Sequence, residues 1–183
     1  MNNIDKAFDF YRKHIYDREK FALLAEYNLR LAGAVSPVMW ELFAAIITGR
    51  KGNGNVGADL RGWEVKSAIN SGSFEYQYHL NTGAQKLKED SNVNHLFCSY
   101  SSDYMSVEVY GMPGAALGKE FFDTWAPEYA KNYDKSVAAE TRRQRFRKSI
   151  PAGHVSKNGA LILKIASAVI LTRDDKALEA LNK

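Results

Sequence analysis

The chain has 183 residues, 45% hydrophobic and 25% charged, with a formal net charge of +4. That suits one domain with a sizeable core and excludes global disorder, while +4 alone says little about a polyanionic partner. Cys98 is the one cysteine, so an internal disulfide is impossible and a Cys-based zinc site is not expected, which fits a reducing cytoplasmic setting. The N-terminus MNNIDK has no apolar signal core. The most apolar stretch, 160–171, carries Lys164 and is too short to span a bilayer, so neither export nor membrane insertion is expected.

Apolar residues recur at helical spacing at Ile4, Phe8, Tyr11 and Ile15, then at Phe21, Leu24, Tyr27 and Leu31. This predicts one long helix or two stacked ones, ending near Gly33. Ser36 as a cap, Pro37 in the first turn and Gly49 as a stop predict a helix to about Thr48. A Gly/Asn-rich loop, RKGNGNVGA, covers 50–58. The period then changes to two: Asp59-Leu60 ends a short strand, Arg61-Gly62 turns, and 63–69 is a second strand. Residues 74–80 are extended, 82–90 helical, 93–100 and 105–110 strands, 118–133 a helix and 137–148 a basic helix. A loop at 149–159, a strand or helix at 160–171 and a short final helix complete the prediction. The expected fold class is α/β: a mixed β-sheet flanked by helices, with an N-terminal helical region, in one domain over 1–183.

The segment GADLRGWEVKSA, 57–68, carries the chemistry. Residues two apart in a strand share a face, so Glu64 and Lys66 project together and Val65 points away. Asp59 precedes a tight turn, which lets its carboxylate lie beside Glu64. Two adjacent carboxylates repel, and a divalent cation relieves this. Mg²⁺ prefers oxygen ligands, so Asp59, Glu64 and the Val65 carbonyl are candidate metal ligands. Asp59, Glu64 and Lys66 are candidate catalytic residues for phosphodiester hydrolysis. The ion would act as a Lewis acid, and the Lys66 ammonium would position water or stabilise developing charge. Acidic-x-Lys by itself is weak, because a cross-strand charge pair has the same pattern and Asp174-Asp175-Lys176 matches it again. Asp59, the hairpin context and the Gly-rich loop are what favour a site. Gly52, Gly54 and Gly57 also satisfy G-x-G-x-x-G, but a helix precedes and a strand follows, the reverse of a dinucleotide site.

Asp-x₄-Glu-x-Lys on a hairpin resembles the PD-(D/E)xK nuclease superfamily, and more narrowly the PvuII-type type II restriction endonucleases. Similar features follow in order: Ile47-Thr48-Gly49 ending a helix, the Gly/Asn-rich loop, the acid, Glu64-Val65-Lys66-Ser67, His79-Leu80-Asn81, the segment 120–125 and Ile150-Pro151. The likeness runs over about residues 40–159. It implies a restriction-endonuclease-like fold, with 1–35 a helical dimerisation region and 36–183 the catalytic and DNA-binding core. It also implies a homodimer that cuts double-stranded DNA at a palindromic site with Mg²⁺, leaving 5′-phosphate ends, and a cognate DNA methyltransferase in the host. This sequence departs from the pattern in three places. Tyr78-His79 stands where the relatives have adjacent histidines, Val56 replaces a loop acid, and the chain runs on past Pro151.

Gln77, His79 and Asn81 alternate along one face of 74–81 and, with Tyr78, are candidate base-contacting residues. The plainer alternative is an amphipathic strand with Phe74, Tyr76 and Tyr78 facing a core. Arg142, Arg143, Arg145, Arg147 and Lys148 form the densest positive charge and are candidate phosphate contacts, against the alternative of a solvated helix face. His14 is expected at the surface, and His95, Cys98, Trp40, Trp63 and Trp125 in structural or core positions. Two other functions share these residues: a structure-specific or repair nuclease of the junction-resolvase type, and a non-catalytic DNA-binding protein on the same scaffold.

Overall fold

Strand β1 (Trp63–Ile69) sends alternate side chains into two different cores, and this alternation organises the fold. The structure, a computed structural model, describes residues 2–54, 57–70, 72–142 and 145–183. Ahead of β1 lie α1 (Asn3–Phe10), a π-helical turn (Tyr11–Ile15), α2 (Arg18–Glu26) and α3 (Pro37–Thr48). After it come β2 (Phe74–His79), α4 (Gly83–Asp90), β3 (Asn94–Tyr100) and β4 (Val107–Pro113). Next are α5 (Gly114–Leu117), a second π-helical turn (Gly118–Phe122), α6 (Asp123–Asn132) and β5 (Arg145–Ile150). The last elements are α7 (Ala152–Asn158), β6 (Ala160–Ala166), β7 (Val169–Arg173) and α8 (Asp175–Leu181).

A five-stranded mixed sheet runs in the order β1-β3-β4-β6-β7. Only β1 and β3 are parallel; the later neighbours are antiparallel. A two-stranded antiparallel ribbon, β2-β5, forms a second sheet. Trp63 and Val65 join Leu96, Val107 and Ile165 against Ile4, Tyr11, Trp40, Phe43 and Ile47 of the N-terminal helices. On the opposite face, Phe97 and Met112 meet Phe74, Tyr76 and Tyr78 of the ribbon and Phe122 and Trp125 of the helical segment after β4. The outcome is the expected mixed α/β arrangement with an N-terminal helical region. Among the described residues no helix is long and apolar enough to cross a membrane.

Most element boundaries follow the sequence signals. Helix α3 starts with Pro37 and stops at Gly49, whose φ of 70° is left-handed and suits a residue without Cβ. The N-terminal periodicity resolves into α1 with its π-helical turn and a separate α2, which ends at Glu26 rather than near Gly33. Three further expectations are corrected. Residues 137–148 are not a basic helix, because 145–150 form β5: Phe146 and Ile150 point into the second core while Arg145 and Arg147 point out. That period of two was masked by the density of charge. Residues 149–159 are not a loop, since α7 begins after Pro151, where a missing N–H costs nothing. Asp59-Leu60 ends no strand; Leu60 makes only isolated bridges to Gly52 and Trp63.

Candidate active site

The register of β1 builds the site. Leu60 and Trp63 exchange backbone hydrogen bonds of 2.9 and 3.1 Å at the strand edge that β3 leaves open. Peptide groups two residues apart face the same edge, so Val65 presents its N–H and its carbonyl there too. That N–H donates to Asp59 Oδ2 at 2.9 Å, which ties the loop acid to the strand edge without any strand pairing of Asp59 itself. Glu64 and Lys66 project from the face toward the second core, with Lys66 Nζ 2.7 Å from Glu64 Oε1. Lys66 also sits over the Tyr76 ring, 4.7 Å from its centroid. The structure therefore brings the sequence-predicted Asp59, Glu64, Val65 and Lys66 together.

Electrostatics set the state of each acid. Burial pushes Asp59 up to about 6, and the Glu64 charge adds to this, while Lys66 and the Val65 N–H oppose it. Glu64 is therefore close enough for its charge to bear on Asp59. Burial also penalises a charged Glu64, but Lys66 and then Lys86, with their hydrogen bonds, outweigh it and hold Glu64 below the usual carboxylate range. Glu64 has only 2% of its surface exposed, so without those two ammonium groups its charge would be untenable.

Lys86 was not singled out from the sequence. It arrives from α4 with Nζ 2.5 Å from Glu64 Oε2 and 2.6 Å from Asp90 Oδ1. Asp90 is fully buried and also accepts from the Tyr78 hydroxyl at 2.9 Å. Behind it, His95 Nε2 lies 2.7 Å from the Asp90 carbonyl and Nδ1 lies 2.8 Å from Tyr76 Oη. A carbonyl only accepts, so Nε2 carries the proton and Nδ1 accepts from the tyrosine. Burial holds His95 at about 4, so the ring is neutral at physiological pH and plays the structural part expected of it. The parallel register Glu64↔His95 sets this network directly beside the catalytic candidates. In the sequence, Lys86 and Asp90 look like an ordinary i,i+4 surface pair, which is why no signal marked them.

The residues are hard oxygen donors of the kind Mg²⁺ takes: two carboxylates and a strand-edge carbonyl. Among the described residues no cluster of three His, Cys, Asp or Glu side chains could hold a metal ion. A metal here would rest on Asp59, Glu64 and the Val65 carbonyl, with water completing the shell.

The ribbon carries the second set of candidates. Gln77 stands opposite Arg147 and His79 opposite Arg145 in the β2-β5 register, so all four share one outward face. Asn81 is exposed just past β2. Three candidates leave this group. Tyr78 is 1% exposed and faces the second core, so it is corrected from a base contact to a core residue. Lys148 stands opposite Tyr76 on the packed face and pairs with Glu128 at 2.6 Å. Arg142 is half-buried in a cleft with Asn81, Tyr133 and Lys135. Arg143 and Val56 lie outside the described residues.

A cleft of about 270 Å³, lined by Gly57, Gln77, His79, Gln85, Lys86 and Glu89 among others, joins the ribbon face to Lys86. A larger one of about 610 Å³ lies away from these acids, across β4, β6 and α7, where Glu108 is already paired with Lys164 at 2.6 Å. The smaller cleft reaches Lys86, which is bonded to Glu64. The repeat of the acidic-x-Lys pattern proves to be a helix start: Asp174 caps α8 at Ala177 and Asp175 pairs with Arg173. His14 is exposed, and Cys98 and the three tryptophans are buried. Compared with known proteins, the chain matches no protein-family model and no curated protein.

Proposed function

We propose that this protein is a Mg²⁺-dependent endonuclease of double-stranded DNA, acting as a type II restriction enzyme that cuts a palindromic site as a homodimer. The observation that carries the reading is the Asp59–Val65 hydrogen bond of 2.9 Å, which sets a second carboxylate beside the Glu64–Lys66 pair. Bound Mg²⁺ would supply charge neutralisation at the phosphate and a lowered pKa for water. Asp59, Glu64 and the Val65 carbonyl would hold it. Lys66 would orient the attacking water or meet the charge that builds on the phosphate. The outward row Gln77, His79, Arg145 and Arg147 supports DNA as substrate, with amide and imidazole groups for base edges and guanidinium groups for phosphates. Exposed Leu23, Tyr27 and Leu29 in the N-terminal region support a second copy as partner.

Plasmid digestion with Mg²⁺, beside an EDTA control and an Asp59→Ala variant, tests the proposal. Discrete bands that need both Mg²⁺ and Asp59 are expected. Cleavage that persists in Asp59→Ala would remove this site from the reaction. Nicking confined to branched DNA would favour a structure-specific nuclease instead.

The arginines allow a separate check. Arg145→Ala should weaken duplex binding evenly across sequences and reduce the slope of log K against log salt by about 1. Fluorescence anisotropy over a KCl series in EDTA measures this, and an unchanged slope would take Arg145 off the phosphate backbone.

A further inference from the structure

We infer that Lys86 is the resident counter-ion of Glu64, a positioning residue that yields its place to a divalent cation and withdraws onto Asp90. This rests on the metal-dependent reading above and assigns a role to a residue that reading does not use.

Both oxygens of Glu64 are occupied by ammonium groups, Oε1 by Lys66 at 2.7 Å and Oε2 by Lys86 at 2.5 Å. Glu64 is 2% exposed, so a divalent cation at its oxygens would lie against two ammonium groups, and like-charge repulsion favours the displacement of one lysine. The two are not equivalent. Lys66 makes no ion pair with a second carboxylate among the described residues: its charge bears on Asp59 without a bond, and its other near contact is the Tyr76 ring. Lys86 already touches Asp90 at 2.6 Å, on its own helix one turn away. On leaving Glu64 it therefore keeps a charged partner and needs no new contact.

Asp90 is built for that part. It is fully buried, and the Tyr78 hydroxyl anchors its other oxygen at 2.9 Å, so it stays in place while Lys86 shifts. The Lys86 side chain keeps 21% of its surface exposed and lines the cleft that leads out past Gln77 and His79. Before a metal binds, the exchangeable ammonium is the ion-pair partner of a carboxylate that is 2% exposed. The same ammonium competes with the metal for it, so Lys86 and Asp90 together set the metal affinity of the site.

The test is calorimetric titration of Mg²⁺ and Mn²⁺ into the full chain without DNA. Lys86→Gln removes the competitor and should tighten binding by about tenfold, the effect of one nearby charge in a partly hydrated site. Asp90→Asn keeps the Tyr78 bond but removes the place of withdrawal, so it should weaken binding by about the same factor. Opposite shifts are the signature. If the Lys86–Asp90 pair only ties α4 to β1, both variants lower the melting temperature and metal affinity stays put or moves the same way in both, which overturns the inference. Should Lys86→Gln not fold, Asp90→Asn decides alone, and wild-type affinity in it overturns the inference. A wild type that binds metal while both variants match it leaves the nuclease reading standing and sinks only the role of Lys86. A wild type that binds no divalent cation sinks both.

Discussion

Lys66→Ala should lower Mg²⁺-dependent plasmid cleavage by about 10²–10³-fold or more, while duplex binding measured in EDTA stays within about threefold. The ammonium stands 2.7 Å from Glu64 Oε1, on the strand face that carries the acid, so under the proposed reaction its absence would remove the positive charge that meets the negative charge building on the phosphate. Lys86 cannot substitute, because it is shared between Glu64 and Asp90 from another element. Binding should survive because the outward arginines of the ribbon are remote in sequence and lie on the second sheet. Lys66→Met separates charge from packing: it keeps a stem over the Tyr76 ring and should be as inactive as Ala. Normal cutting by either variant would end the assignment of Lys66.

Trp63→Ala should destabilise the fold by about 3–5 kcal/mol, the usual cost of removing a large buried aromatic. Trp63 is 1% exposed within the first core. Its indole Nε1 donates to Asn182 Oδ1 at 3.2 Å, and the same Asn182 amide donates to the Thr48 carbonyl at 3.1 Å. The substitution thus opens a cavity and also loosens a contact between the end of α3, the start of β1 and the C-terminal residues. Because Trp63 immediately precedes Glu64, a partly unfolded variant should lose activity in parallel with its folded fraction. Urea unfolding followed by circular dichroism measures the cost. A loss below about 1 kcal/mol would show that the core closes around the gap.

The alternation of Trp63, Glu64, Val65 and Lys66 determined a great deal in advance. A strand with period two can only place Glu64 and Lys66 on one face and Val65 on the other, and that holds. Likewise Pro37 and Gly49 delimit α3 by backbone chemistry that acts within a few residues. Phe74, Tyr76 and Tyr78 alternate inward for the same local reason, which also removed Tyr78 from the exposed set. The charged run at 145–148 misled because its two apolar markers, Phe146 and Ile150, are too few to show a period until β2 pairs with it.

What tertiary structure alone decided is the company Glu64 keeps. Lys86 lies 22 residues away and meets it only because α4 crosses between β2 and β3. His95 lies beside Glu64 only through the parallel register of β1 and β3. Local periodicity specifies which face a side chain takes. Long-range pairing selects its neighbours, and a buried carboxylate has its charge state set by those neighbours.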